Sequence, residues 1–367
     1  MQTKVCENRL RSLRVKTNFH PLVCTIFAKK VIKVCENRLH SLRVKINFHP
    51  LVCTIFAKKV IEVCENRLRS HCSEQQNSRF FRLLYIMNNI YSINVKGRLL
   101  TMERPLVMGI VNVTPDSFYG LSRVEAGSEL VARCRRMLAD GADIIDVGAC
   151  STRPGSEPVG EDEELARLHA AFELLDAELP DAVFSVDTFR ARVARECVEQ
   201  HAVSIINDVS GFDSDAAMLD TVAELNAPYI LTHSRGVAGD TPHYEEFLPE
   251  AFKLLADKMW ALRQRGVNDV IIDPGFGFGK SLEQNFAMLD ALEEFSMLDA
   301  PLLVGISRKS MITKTLGTTA DEALNGTTVL NTIALMKGAH ILRVHDVKPA
   351  AEAVKLVAQM KMNLNSY

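Results

Sequence analysis

LVMGIVNVTPDSF, at residues 106–118, is the stretch from which the rest of the chain can be interpreted. An apolar run that ends at Asn112 is followed by the polar sequence Thr114-Pro115-Asp116-Ser117. A continuous apolar run of this length is typical of a strand that is buried on both faces of a parallel sheet. The stretch therefore predicts a buried strand that carries polar side chains into the loop at its carboxyl end.

Seven later segments repeat this design, so that short apolar runs alternate with longer stretches of helical periodicity such as 128–141. Together with the first, the predicted strands lie at 106–112, 143–148, 182–187, 203–208, 228–233, 269–273, 301–306 and 340–345. Eight such units in about 250 residues predict an α/β protein with a (β/α)8 architecture, the TIM barrel. The alternative, a doubly wound open sheet, normally has a glycine-rich phosphate-binding turn after its first strand. The sequence from Asn112 to Pro115 is not such a turn.

Charge divides the chain at about residue 101. The 367 residues carry a formal net charge of −2. Residues 1–101 hold 19 Lys and Arg against 5 Asp and Glu, whereas residues 102–367 hold 24 against 40. Because the first part is strongly basic and the second is acidic, we expect two different kinds of structure, with the barrel at 102–367.

The basic part contains a tandem repeat. Residues 5–33 recur almost unchanged at 34–62, and a third copy begins at Val63 and stops after Ser70. The two complete copies differ at three pairs of positions: Arg11/His40, Thr17/Ile46 and Lys33/Glu62. Solenoid repeats usually diverge outside their core positions and need about three complete units to be stable. The near-identity of these copies instead indicates a recent duplication of coding DNA.

We therefore expect residues 1–101 to be a basic extension without a stable fold, or translated upstream sequence, with Met102 as the true start of the protein. The alternative for this part is a nucleic-acid-binding or membrane-binding arm, or a targeting peptide. Residues 71–101 carry no repeat, and we expect either a short hairpin that caps the barrel or no stable structure.

Cysteine usage and hydropathy favour a cytoplasmic protein. Six of the nine cysteines lie in the basic part, and the acidic part has no spacing typical of a zinc site or a disulfide framework. The sequence has no run of about 18 apolar residues that would span a bilayer, and no signal-peptide pattern at its beginning. We expect neither a membrane nor a nucleic acid as a partner of the barrel.

Every predicted strand ends in polar or charged residues. In a (β/α)8 barrel the carboxyl ends of all the strands lie on one face, and active sites are found on that face. In chain order these residues are Asn112, Asp116 and Ser117; Asp146 and Ser151 to Pro154; Asp187; Asn207 and Asp208; His233 and Arg235; Asp273; Ser307 to Ser310; Arg343, His345 and Asp346. Singly, each has a structural interpretation, since an Asp after a strand often caps the next helix and His233 can be a packing residue. Packing alone does not explain eight polar strand ends out of eight.

Two kinds of group are gathered at these ends. Asp187, Asn207 and Asp273 are short acceptors in positions where an unpaired carboxylate is costly, so a ring with several N–H donors, such as an aminopyrimidinone, would satisfy them. The second kind is basic and favours an anion such as phosphate or pyrophosphate. Its members are Arg153, Arg235, Arg308, Lys309, Arg343 and His345. One small heterocycle with a phosphorylated arm would use both kinds.

Seven motifs occur in one order across residues 104–360. They are MGIVNVTPDSF (108–118), GADIIDVGACSTRPG (141–155), SVDTFR (185–190), INDVSG (206–211), DPGFGFGK (273–280), GISRKS (305–310) and RVHDV (343–347). This set resembles the dihydropteroate synthases, the pterin-binding barrel enzymes of folate biosynthesis. The resemblance implies a transferase that condenses 6-hydroxymethyl-7,8-dihydropterin pyrophosphate with p-aminobenzoate to give 7,8-dihydropteroate and pyrophosphate.

The resemblance also implies roles for individual residues. The pterin ring would be held by Asp187, Asn207, Asp273 and Lys309. The pyrophosphate would be held by Asn112, Arg343 and His345, with Mg2+ close to Asn112, and the catalytic groups would be Lys309, Arg343 and His345. The p-aminobenzoate site would be formed by Phe118, Thr152, Arg153, Pro154, Phe278 and Ser310. Since the family is commonly dimeric, we also expect a homodimer.

The sequence departs from the family pattern in three loops. Residues 119–122 read Tyr-Gly-Leu-Ser where Ser-Asp-Gly-Gly is common, Ala149 and Cys150 replace Gly-Glu, and Ser234 follows His233 where Met is usual. Two of these changes border the p-aminobenzoate site, so we expect altered sensitivity to sulfonamides. The alternatives are a methyltetrahydrofolate-dependent methyltransferase, which has no need for the basic ends at 305–310 and 343–347, and a non-catalytic interaction protein centred on residues 1–101.

Overall fold

The computed structural model describes residues 90–113, 123–150, 159–234 and 244–364, with side chains described for all of these except 123–125, 244–246 and 361–364. Several residues that the sequence singles out lie outside the described residues: 1–89, Asp116, Ser117, Phe118, Ser151 to Pro154 and Arg235. Within the described ranges, no helix is long and apolar enough to cross a lipid bilayer.

Strands and helices alternate from residue 106 onward. The strands are β1 (Ser92–Val95), β2 (Arg98–Thr101), β3 (Leu106–Asn112), β4 (Ile144–Gly148), β5 (Phe184–Asp187), β6 (Val203–Asp208), β7 (Tyr229–Thr232), β8 (Val270–Asp273), β9 (Leu303–Val304) and β10 (Ile341–Val344). The helices are α1 (Arg123–Ala139), α2 (Glu161–Glu178), α3 (Ala191–Gln200), α4 (Met218–Leu225), α5 (Tyr244–Gln264), α6 (Leu282–Asp290), α7 (Ser310–Leu316), α8 (Leu324–Met336) and α9 (Val347–Leu364). A 3-10 helix, Leu292–Leu298, precedes β9.

Eight of the strands form one parallel sheet in the order β8-β7-β6-β5-β4-β3-β10-β9. A parallel bridge between Ile272 and Leu302 joins the two outer strands, and the Ile272 N–H donates to the Pro301 carbonyl oxygen at 2.9 Å. The predicted TIM barrel is thus confirmed, and each of its strands lies within a predicted segment. β9 is shorter than predicted; Pro301, at the start of its predicted segment, has no N–H to give to a ladder.

The barrel strands are apolar throughout because both of their faces are buried. In β3, for example, Met108 packs in the barrel interior, whereas its neighbour Val107 belongs to the layer between sheet and helices. The interior also receives Ile144 of β4, Ile205 of β6 and Ile341 of β10. This alternation explains why continuous apolar runs, rather than polar and apolar residues in turn, mark these strands.

The hairpin β1–β2 closes the amino end of the barrel. Ile93 and Val95 are 1% and 3% exposed and pack into the barrel interior. The Asn94 N–H donates to Asp269 Oδ2 at 2.9 Å. Lys96 and Gly97 both have positive φ, as a tight two-residue hairpin turn requires.

The compact unit that contains the barrel spans Asn89–Tyr367. The boundary expected at Met102 therefore falls inside this unit, because burial of Ile93 and Val95 ties the hairpin to the barrel. Of the two expectations for residues 71–101, the hairpin that caps the barrel is the one observed, at Ser92–Thr101. The charge pattern alone does not separate this hairpin from the basic repeat that precedes it.

Candidate active site

The carboxyl ends of the strands place the predicted acidic and amide side chains at the same level along the barrel axis. Asp187 of β5 pairs in register with Gly148 of β4 and with Asn207 of β6, and Asp273 of β8 pairs with Thr232 of β7. Because all the strands are parallel, these residues end their strands on the same side of the barrel. We call this end of the barrel the mouth.

Arg343 of β10 lies between two carboxylates in the mouth. Its Nε donates to Asp146 Oδ2 at 2.6 Å, and its Nη2 donates to Asp187 Oδ2. Asp146 is fully buried, and the same Oδ2 atom accepts a hydrogen bond from Asn207 Nδ2 at 3.0 Å. Residues from four strands thus form one hydrogen-bonded group, Asp146, Asp187, Asn207 and Arg343, which we call the acid cluster.

The acid cluster has more acidic groups than cations. Burial raises the pKa of Asp187 to about 7, even though Arg343 opposes the shift. Burial works to lower the pKa of Arg343, but the carboxylates of Asp146 and Asp187 hold it above its ordinary value. Asp146 Oδ1 is buried and has no hydrogen-bond partner among the described residues. A ligand that brings N–H donors would therefore complete the cluster.

The buried Asp273 and the half-buried Lys309 are a second pair of opposite charges in the mouth. Lys309 Nζ donates to the Phe276 carbonyl oxygen and lies 4.5 Å from the centre of the Phe278 ring. Burial lowers the pKa of Lys309 to about 8 against the pull of Asp273, and burial raises the pKa of Asp273 against the pull of Lys309. Lys309 is protonated at neutral pH and can donate to a ring or a phosphate.

Glycines let the segment after β8 approach the mouth closely. Gly275 has φ +71, its N–H donates to Asp273 Oδ1 at 2.7 Å, and a Cβ there would lie 2.0 Å from the His233 carbonyl oxygen. Lys280 Nζ ties the turn together by donating to the carbonyl oxygens of His233, Gly275 and Phe278 at 2.9, 2.6 and 3.2 Å. Residues 273–280 thus form a tight turn, and no pattern in the sequence predicts this role for Lys280.

The remaining predicted cations differ in whether their side chains can still bind an anion. The sequence pattern groups Arg308 with the anion-binding residues, but the structure commits its guanidinium to Asp346 through two hydrogen bonds of 2.9 and 2.8 Å. His345 follows β10, and its N–H donates to Ser307 Oγ at 3.2 Å. Nη1 of Arg343 makes no hydrogen bond to any described residue, so it can still meet an anion.

The other predicted residues lie around this group. Phe278 is half-buried beside Lys309, Ser310 is exposed at the start of α7, and Asn112 is half-buried at the end of β3. His233 is buried, with its ring edge-on to Phe247 at 6.2 Å, which fits a packing histidine.

The donor set suits a metal that arrives with a phosphate ligand. No three His, Cys, Asp or Glu side chains of the described residues form a metal-binding group. Asn112, at the carboxyl end of β3, has one neutral amide oxygen of the kind that can bind Mg2+. Mg2+ usually takes only one or two protein ligands in such sites and completes its shell with water and phosphate oxygens. Asn112 is therefore compatible with the Mg2+ expected there.

Comparison with known proteins identifies the family. Residues 108–345 match the family model described as "Pterin binding enzyme". The dihydropteroate synthase of Bacillus subtilis is 40% identical over 260 residues, which are 70% of this chain and 89% of that protein. The chain belongs to the dihydropteroate synthase family.

Solved dihydropteroate synthases have the same fold. The Yersinia pestis enzyme, in a sulfonamide drug complex, superposes with a TM-score of 0.68 at 35% identity and covers 74% of this chain and 100% of its own. The Xanthomonas albilineans dihydropteroate synthase, in complex with 7,8-dihydropteroate, gives 0.66 at 35% identity over 74% and 99% of the two chains. As a dihydropteroate synthase, the chain is a transferase that joins a dihydropterin to p-aminobenzoate.

Proposed function

We propose that the mouth binds 6-hydroxymethyl-7,8-dihydropterin pyrophosphate and condenses it with p-aminobenzoate, giving 7,8-dihydropteroate and pyrophosphate. Support comes above all from the acid cluster, in which buried acceptors exceed the donors available from the protein. An aminopyrimidinone ring supplies N–H groups, and the relative from X. albilineans binds the dihydropteroate product.

The pterin ring is held by Asp187, Asn207, Asp273 and Lys309. Asp187 and Asp273 accept from ring N–H groups, and Asn207 is oriented by its hydrogen bond to Asp146. Lys309 donates to a ring acceptor from its position over the Phe278 face. Because burial raises the pKa of both carboxyls, N–H donors from the ring would stabilise their ionised forms.

The pyrophosphate lies on the Arg343 side of the mouth. Arg343 uses Nε and Nη2 for the acid cluster and keeps Nη1 for a phosphate oxygen, while His345 and Asn112 complete the anion site. Mg2+ bound near Asn112 would neutralise charge on the pyrophosphate. The same guanidinium thus connects the pterin half of the site to the pyrophosphate half.

The reaction breaks the C–O bond to pyrophosphate and forms a C–N bond to the amine, which gives up one proton. Negative charge grows on the leaving pyrophosphate, where Arg343 and His345 stabilise it. Positive character develops on the exocyclic methylene, near the carboxylates of the acid cluster. The nucleophile is a neutral aromatic amine, so positioning contributes more than a strong base.

The p-aminobenzoate site joins residues of several loops. Phe278 and Ser310 are described, whereas Phe118, Thr152, Arg153 and Pro154 lie outside the described residues. The departures at 119–122 and at Ala149 and Cys150 border this site, so sulfonamide sensitivity is expected to differ from that of the family. Sulfonamide inhibition constants for this enzyme and for the B. subtilis enzyme, measured side by side, check this; equal constants would contradict it.

The enzyme is proposed to act as a cytoplasmic homodimer. Large apolar side chains are exposed on α7 and α8: Leu316 (58%), Leu324 (41%), Ile333 (37%) and Met336 (44%). A second copy would cover such a face. The cysteines of the described residues, Cys134, Cys150 and Cys197, are free thiols, as suits a reducing compartment.

Residues 1–88 are proposed to have no catalytic role, because the site is assembled from β3 to β10. A protein trimmed to begin at Asn89 should keep the kcat and both KM values of the full chain. A trimmed protein without activity, yet with the same circular dichroism spectrum, would contradict this.

A direct test measures dihydropteroate formation by chromatography with each substrate omitted in turn. Product should require both substrates, and one pyrophosphate should be released for each product. Pyrophosphate release that is independent of p-aminobenzoate would indicate hydrolysis instead, and no product with both substrates would contradict the proposal.

A further inference from the structure

The segments that follow β9 and β10 are joined by an ion pair outside the proposed substrate contacts. Arg308 Nε donates to Asp346 Oδ2 at 2.9 Å, and Nη2 donates to Asp346 Oδ1 at 2.8 Å. Such a bidentate pair fixes both the distance and the relative orientation of its partners. Arg308 is 28% exposed and Asp346 is 19% exposed, so water screens the pair only in part.

The backbone at Arg308 is held in an uncommon conformation. Its φ is +58°, in the left-handed region that residues with a Cβ rarely adopt. The Arg308 N–H donates to Oγ1 of the buried Thr327 at 3.1 Å. Both the main chain and the side chain of Arg308 are therefore fixed by partners from outside its own segment.

The residues next to this pair are those assigned to the substrate. Lys309 follows Arg308 directly, and its Nζ bonds the Phe276 carbonyl oxygen. His345 precedes Asp346, and its N–H donates to the hydroxyl of Ser307, the residue before Arg308. Two parallel connections, Ser307–His345 and Arg308–Asp346, thus bind the two segments on either side of the substrate groups.

We propose that the Arg308–Asp346 pair is a positioning latch that sets Lys309 and His345 at a fixed separation. It rests on the proposed function, in which Lys309 contacts the pterin and His345 the pyrophosphate of the same substrate. The latch keeps the segments after β9 and β10 at the separation that lets Lys309 reach the pterin and His345 reach the pyrophosphate of one substrate molecule. Arg308 and Asp346 themselves are positioning residues and do not contact the reacting atoms.

Asp321 provides a matched control. It accepts from Arg308 Nη1 at 3.2 Å, but it is 95% exposed and lies outside the two connected segments. Asp321→Asn therefore removes a carboxylate from the same guanidinium without opening the latch. Because exposed ion pairs contribute little, this variant should behave like the parent enzyme.

The test compares Asp346→Asn, Asp346→Glu, Arg308→Lys and Asp321→Asn in the full chain. Asp346→Asn should raise KM for the pterin pyrophosphate about tenfold and lower kcat about tenfold, with KM for p-aminobenzoate within about twofold. Arg308→Lys keeps the charge but loses the bidentate fork, and should show a smaller loss in the same direction. Asp346→Glu keeps a carboxylate and should recover part of the activity, and Asp321→Asn should match the parent.

Calorimetric binding of the pterin pyrophosphate to each protein gives a second readout that does not require turnover. A larger Kd for Asp346→Asn than for the parent, with the Kd of Asp321→Asn unchanged, supports the latch. This holds even if the parent binds the pterin pyrophosphate but does not condense it, and that result would contradict only the proposed function. Unchanged Kd and KM in Asp346→Asn would overturn the latch. An equal rise of KM for both substrates would overturn it too, since that indicates general loosening, and a parent that binds no pterin overturns both proposals.

Discussion

The two ends of the barrel bury different chemistry. At the amino end, Ile93 and Val95 of the hairpin pack against apolar residues of the strands. At the carboxyl end, the fully buried Asp146 lies beside Arg343 and Asp187, whose side chains are 15% and 13% exposed, and one oxygen of Asp146 has no partner among the described residues. Burial of apolar surface stabilises a fold by about 25 cal/mol per Å2, whereas burial of charges is costly unless they are paired.

From this difference we expect stability to depend mainly on the amino end and the proposed function to depend on the mouth. The amino end is complete without a ligand. The mouth contains acceptors that a ligand would satisfy, so substrate binding should stabilise the protein. Changes at the amino end should alter stability with little effect on catalysis, and changes at the mouth should depend on charge and pH.

The largest effect is expected for Arg343→Ala, which leaves the fully buried Asp146 and the mostly buried Asp187 without their cation. Removing one partner from a buried ion pair costs about 3–5 kcal/mol, and activity should be lost as well. Urea unfolding at pH 8 measures this loss. Arg104→Ala is the control, because the Arg104–Asp143 pair has a half-exposed arginine and should contribute less than about 1 kcal/mol. Equal losses in the two variants would erase the distinction between the mouth and the surface.

The next effect is expected at the opposite end. Ile93→Ala should lower the free energy of unfolding by about 2–4 kcal/mol, because it leaves a cavity in the barrel interior. The kcat/KM of the folded enzyme should stay within about twofold of the parent, since the change lies at the amino end of the strands and the residues of the mouth lie at their carboxyl ends. Leu99→Ala, in the same hairpin but 73% exposed, is the matched control for chemical unfolding and kinetics. A large loss of kcat/KM in Ile93→Ala would show that the two ends are not separable.

A smaller effect concerns the pH dependence of stability. The folded pKa of Asp187 is raised from 3.8 to about 7, so its contribution to stability is fully present below pH 4 and is lost as pH rises to about 7. Asp187→Asn should remove this dependence, so that the fall in the free energy of unfolding between pH 4 and pH 7 is absent from the variant. Unfolding of the ligand-free enzyme and the variant at several pH values between 4 and 8 checks it. Parallel curves for the two proteins would mean that Asp187 does not titrate in this range.

The smallest effect is expected in the dependence of kcat/KM on pH, where deprotonation of Lys309 should lower activity at alkaline pH. With its pKa lowered to about 8, the ammonium loses its proton above that pH, and kcat/KM for the pterin pyrophosphate should fall about tenfold by pH 9. Lys309→Arg should shift this fall in kcat/KM beyond the measured range, because the guanidinium stays protonated. A fall that persists unchanged in Lys309→Arg would assign the titration to another group.

The barrel can be predicted from sequence because each strand is an apolar run buried on both faces, and the parallel direction then places every strand end in the mouth. Ion pairs between residues far apart in the sequence cannot be predicted in the same way. Arg343 meets Asp146 and Asp187 across 197 and 156 residues, and Arg308 meets Asp346 across 38. Without the fold, Arg308 has the same sequence signal as an anion-binding arginine.

The hairpin shows a second limit. Ile93 and Val95 alternate with polar residues in a short basic segment, a weak signal that leaves a capping hairpin as only one of two expectations for residues 71–101. Only the barrel interior, which is open at its amino end without them, explains why these two side chains are buried.

In the proposed reaction, the mouth releases pyrophosphate only when p-aminobenzoate is present. The most direct measurement is a coupled pyrophosphate assay of the parent, Lys309→Ala and Lys314→Ala, the last being an exposed lysine of α7. The parent and Lys314→Ala should release pyrophosphate at equal rates only when p-aminobenzoate is present, and Lys309→Ala should be slower by about a hundredfold or more. Absence of p-aminobenzoate-dependent release in the parent, or full activity in Lys309→Ala, would contradict the account.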